Sequence, residues 1–176
     1  SLGKVFRRAM DAPRTSEAVL SDLQSYEPSS GAPAMFVARA IRDTDGAVLG
    51  VLAFQIPTSQ IVKIMNYTSG MGESGETYLV GQDGLMRSNS RFSAKSTILS
   101  QTVTSDSAKR ALAGEEGVGM TVDYRGIDVL SAYSSVTVGD TSWAVLAEID
   151  YEEVVADAAQ LRPGLSAILM LFYGLS

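Results

Sequence analysis

The chain has 176 residues, 45% of them hydrophobic, a formal net charge of -6, and neither cysteine nor histidine. That length suits one good core or two small ones, and the acidic balance, with no Lys/Arg cluster, opposes nucleic acid as a partner. The two missing residue types remove disulfides, thiolate metal sites, thiol nucleophiles, the usual general base and the Ser-His-Asp constellation, and no cofactor is expected.

The start, SLGKVFRR at 1–8, is charged and lacks the apolar core of ~7–15 residues that a signal peptide needs. The chain is therefore expected to begin inside a longer protein. Residues 16–20 read as a short helical or linking piece and 19–26 as a strand, before the turn-rich EPSSGAP at 27–33. Strands follow at 35–41 and 47–56, joined by a hairpin turn at Asp45-Gly46. Ile61, Ile64 and Met65 then have helical spacing, with Thr58 as the expected cap.

The glycine-rich GMGESG at 70–75 marks a break between modules, and 77–80 with 85–88 form a second hairpin around Gly81 to Gly84. The polar stretch 89–104 is long enough for a functional loop. A helix at 105–113 closes on Gly114, and strands are expected at 118–124, 127–136 and 142–149. The last helix opens with Asp150 and Glu153 at capping-box spacing. Beyond it, LSAILMLFYGL at 165–175 is uncharged but shorter than the ~20 residues of a full span. It reads as the first half of a transmembrane helix, with a buried C-terminal helix as the alternative.

A weak internal repeat organises these elements. VLAFQI at 51–56 and VLAEI at 145–149 each end a series of strands and lead into a helix. The second copy has two further strands and the polar loop in front of it. The expectation is α+β: a five-stranded antiparallel sheet with flanking helices, preceded by part of a second such module.

GETYLVGQDGLMRSNSR at 75–91, supported by GAVLGVLAFQI at 46–56 and WAVLAEID at 143–150, resembles the extracytoplasmic PAS-like fold of Cache domains over roughly residues 19–162. The resemblance implies the tandem, double Cache sensors of bacterial chemoreceptors, histidine kinases and nucleotide cyclases. On that basis residues 1–66 are the C-terminal part of a membrane-distal module, 67–162 the membrane-proximal module and 163–176 the start of a transmembrane helix. It further implies the bacterial inner membrane, with the domain facing the periplasm. Where the family's amino-acid sensors end the distal module's last strand in Asp-Ile, this sequence has Gln55-Ile56, whose neutral amide supplies no charge-assisted bond to an ammonium.

The candidate ligand-binding residues are Arg87, Asn89, Arg91, Tyr124 and Tyr133. Two arginines bracketing the start of the polar loop suit a carboxylate held bidentately, and two tyrosines on consecutive strands suit the wall of one cavity. For the arginines the competing reading is a solvated strand end, and for the tyrosines core packing with a polar tip. Asp45 and Asp83 read as turn residues, and Tyr78 and Trp143 as core. The expected function is a non-enzymatic sensor of a small polar or anionic molecule, homodimeric through its helices and joined to the membrane by its C-terminal segment. A ligand-free dimerisation scaffold and a carboxylate hydrolase are the rival readings.

Overall fold

The computed structural model of the chain describes residues 2–13 and 18–156. It contains two antiparallel sheets, each with helix packed on one face. Helix α1 (Leu2–Asp11) lies where the sequence suggested none. Its Val5 and Ala9, one turn apart, are buried with Ala34, Phe36 and Ala38 of the first sheet.

In that sheet β3 (Ala32–Arg42) is central, with β4 (Val48–Ile56) along one edge and β1 (Val19–Leu20) and β2 (Gln24–Tyr26) sharing the other. The strand expected at 19–26 is thus two short ones. Ser21 causes the break: its hydroxyl accepts the Phe36 amide at 2.8 Å, so a side chain replaces the next ladder contact. Leu23 then turns fully into the interior and Asp22 points out of the sheet toward the second module. Helix α2 (Thr58–Met65) is capped by extended Pro57, with no side-chain cap bond. Thr58 is the first helical residue rather than the cap, because Pro57 already sets the cap's backbone.

The second sheet has the order β5-β8-β7-β6, from β5 (Glu76–Val80), β6 (Gly117–Val122), β7 (Asp128–Val138) and β8 (Thr141–Asp150). The strand expected at 85–88 is reduced to two isolated bridges, Val80 with Met86 and Leu85 with Thr102, because the Leu79 amide donates to the Ser88 hydroxyl at 3.0 Å instead of to a backbone carbonyl. Helix α3 (Asp106–Leu112) is capped by Ser105, whose hydroxyl accepts from the Ala108 amide at 3.3 Å, and ends at Gly114 in the left-handed region, φ 87°. Together with Met86 and Val103, it covers Tyr78, Val80, Tyr133, Ala144 and Leu146.

A third cluster, built on Leu23, Met35, Leu79 and Trp143, joins the two sheets. Residues 151–156 are helical. The capping box expected there does not form: Asp150 pairs with Arg125 at 2.6 Å, and Glu153 reaches across to the turn before β5. No helix among the described residues is long and apolar enough to cross a membrane; the expected span at 163–176 lies outside them.

Candidate functional site

Strand alternation sends every second residue of β5, β7 and β8 to the face beneath α3 and the 89–104 loop. On that face the cross-strand register lines up Glu76, Glu148, Ser131 and Gly119 in one row across all four strands. The adjacent row is Tyr78, Leu146, Tyr133 and Gly117. Two carboxyl groups thus stand side by side with 2% exposure each, next to a fully buried serine.

The two are solvated differently by the protein. Glu76 accepts from the Tyr124 hydroxyl at 2.5 Å, the Ser90 hydroxyl at 3.1 Å and the Arg91 amide at 3.2 Å. The Ser90 and Tyr124 hydroxyls also lie 2.6 Å apart. Glu148 accepts from Tyr78, at 2.7 Å on Oε2, and has Ser131 beside it across the ladder. Its Oε1 and the Ser131 hydroxyl oxygen are buried without a hydrogen-bond partner. Such orphaned polar atoms are uncommon in folded proteins and cost about 1–3 kcal/mol each.

Electrostatics follow from this setting. Burial pushes the Glu148 carboxyl above the usual carboxylate range; the hydroxyls of Tyr78 and Ser131 pull it down, and the nearby charges of Asp123 and Glu76 push it up. Burial, reinforced by their carboxylate partners, raises Tyr78 and Tyr124 well above the ordinary phenol value, so both stay protonated donors. At the end of the strands a cleft of about 600 Å3 is lined by Glu73, Ser74, Phe92, Arg125, Asp150, Glu152 and Glu153. These residues neighbour in sequence those that hold the carboxyl pair.

The sequence-derived candidates separate in space. Tyr124 and Arg91 meet at Glu76, although the Arg91 side chain turns to the Gly75 carbonyl. Asn89 accepts from the Ser96 hydroxyl and the Thr97 amide, shaping the loop. Tyr133 is buried in the core, with Arg110 over its ring at 5.1 Å. Arg87 is 2% exposed. Its five N–H donors go to Asp22 (3.1 and 2.8 Å), Asp83 (2.9 and 3.1 Å) and the Leu85 carbonyl (3.0 Å). It has no donor left for a ligand. Asp22 also accepts from the Trp143 indole at 2.8 Å, so this arginine bolts the two modules together.

The sequence reading missed Glu76, Glu148 and Ser131. The available signal was register: Glu148 lies between Leu146 and Asp150 on the same face as buried Ala144, which alternation from Trp143 onward reveals. Gly81 was a second signal. A Cβ there would lie 2.2 Å from the Arg87 guanidinium carbon, so only glycine admits the arginine.

Two antiparallel sheets, the second with a polar interior beneath a long loop, define a PAS-like fold. The chain belongs to the Cache domain family, which it matches over residues 6–158. It is similar to the periplasmic sensory domain of the Campylobacter jejuni chemoreceptor Tlp1, with 22% identity and a TM-score of 0.60, covering 86% of this chain and 56% of that one. A second likeness is to the ligand-binding domain of the Pseudomonas aeruginosa amino-acid chemoreceptor PctB in complex with L-arginine: 20% identity, TM-score 0.57, 91% of this chain and 62% of that one. A third is the domain rpHK1S-Z16, described as the extracellular part of a histidine kinase, at 19% identity and TM-score 0.58, with 86% and 61% covered. The chain spans less than two thirds of the length of each. No curated protein matches the sequence.

Proposed function

We propose that the chain is the ligand-sensing part of a bacterial transmembrane receptor, exposed to the periplasm, which binds a small polar molecule in its second module. The observation that carries this reading is the pair of orphaned acceptors, Glu148 Oε1 and Ser131 Oγ, in the interior of a Cache domain. A fold that needed this face only for packing would place apolar groups there. Tyr124 and the Arg91 amide, which hold Glu76, belong to the proposed ligand set, with Asn89 shaping the loop above them. Tyr133 forms the wall of the next row. Arg87 is assigned to the joint between the modules.

Transmission runs through the helix after β8. Glu153 accepts from the Glu73 and Ser74 amides at 2.9 and 2.8 Å, and from the Ser74 hydroxyl, on the rim of the cleft. A ligand that reshapes the cleft changes this clasp and with it the seat of the helix. Only a ligand that prefers one seat over the other would signal. The receptor is proposed to act as a homodimer joined through its helices, with the 163–176 segment entering the inner membrane. The test is a thermal-shift screen of the chain against small amines, carboxylates, amides and sugars. A ligand selective for the folded state raises the midpoint in proportion to the logarithm of its concentration; a screen in which no class shifts it overturns the reading in favour of a ligand-free scaffold.

A further inference from the structure

Resting on that sensory reading, we propose that the second module takes a small organic cation, an alkylammonium whose charged head is received between Glu76, Glu148 and Ser131. An acidic cluster is usually balanced by the chain's own cations. Here it is not. Around the pair stand Tyr78, Tyr124, Ser90, Ser131 and Asp123, and no lysine or arginine side chain hydrogen-bonds either glutamate among the described residues. Arg91 reaches Glu76 through its backbone amide alone, and Arg125 is committed to Asp123 and Asp150, both at 2.6 Å.

The orphaned atoms specify the missing partner by its chemistry. Glu148 Oε1 is an acceptor, and the Ser131 hydroxyl accepts as well as donates. An ammonium carries three donors and no acceptor, so it satisfies Glu148, Ser131 and the shared Glu76 together. A carboxylate ligand would meet two carboxyl groups, with no side-chain donor free to receive it. The cleft at the strand ends has the same sign. Of the seven residues lining the cleft, Glu73, Asp150, Glu152 and Glu153 are acidic, and Arg125 is the single cation. Phe92 adds an aromatic face there, already facing the Arg125 guanidinium at 4.3 Å. Half-buried Tyr124, next in sequence to the cleft residue Arg125, bonds Glu76.

The alternative occupant is a proton on Glu148. Calorimetric titration of the chain with methylammonium, ethylammonium and putrescine, in two buffers of different ionisation enthalpy, separates the two, with acetate and acetamide as the anionic and neutral arms. The expected result is binding of the amines alone, with release of a proton to the buffer, because a bound cation favours the ionised carboxyl. Glu148→Gln and Glu76→Gln should each weaken amine binding about tenfold or more. The proton release is read on the wild type, so it stands even where a variant fails to fold. Amine affinity unchanged in both variants, or amine binding without proton release, overturns the proposed placement. Binding of acetate but no amine overturns the cation class and leaves the sensory reading standing. Binding of none of the probes removes the cation class, and joined to an empty thermal-shift screen it removes the sensory reading too.

Discussion

Glu148 is where chemistry and stability conflict most directly. Its carboxyl is raised in the folded chain above the ordinary 4.5, so between 4.5 and the raised value the folded state binds more protons than the unfolded one. The Glu148 contribution is therefore fully present below that ordinary value and is lost as pH climbs through the raised one. Without ligand, Glu148→Gln is expected to stabilise the chain at neutral pH by about 1–3 kcal/mol, the cost of a poorly satisfied buried group. The gain should fade toward pH 4.5. Midpoints of thermal unfolding against pH for both proteins check this; a pH-independent difference would refute the account. Arg87 is a residue of stability too. Arg87→Ala leaves Asp22 with no charged partner, and roughly 3–5 kcal/mol is the usual cost of breaking a buried pair; half-exposed Asp83 adds little. Gly81→Ala should shift denaturant midpoints the same way, since its Cβ occupies the place of the guanidinium.

At the scale of elements, the clasp of Glu153 on the turn before β5 stands in for the expected helix cap. Hydrogen bonds from Ser74 and the two amides hold its carboxyl below the ordinary 4.5, so the clasp persists above that value and opens as pH falls through the lowered one. Glu153→Gln is expected to speed amide exchange at Glu73 and Ser74 while leaving the β7–β8 ladder protected. Equal exchange in both proteins would show that the clasp constrains nothing. Elements whose signals are local were legible in the sequence: β3, β4, β7 and β8 through alternation, and α3 through its Ser105 cap and Gly114 stop. Helix α1 was hidden because Lys4, Arg7 and Arg8 mask the Val5–Ala9 spacing. The break at Ser21 and the missing strand at 85–88 were hidden because serine hydroxyls replace ladder groups there, a choice that alternation does not encode. The glutamate pair was hidden for a related reason: a glutamate in a strand reads as the wet face until register places it under a helix.

For the whole molecule, the cluster of Leu23, Met35, Leu79 and Trp143, with Asp22 accepting from Arg87 and Trp143, makes one cooperative body of two sheets. Scanning calorimetry should show a single transition. Leu23→Ala, which empties a fully buried position at about 2–5 kcal/mol, combined with Asp22→Ala, should divide it into two. One transition in the double variant would mean that the modules cohere by other contacts. This joint also limits how such domains can be reassembled. Asp22 belongs to the first module, whereas Gly81, Arg87 and Trp143 belong to the second, and none of the four keeps its role without the others. A chimera that grafts this second module beneath a foreign first module inherits a buried guanidinium with one carboxylate too few. New sensors built by shuffling Cache modules should therefore fold only when position 22 travels with the module below it.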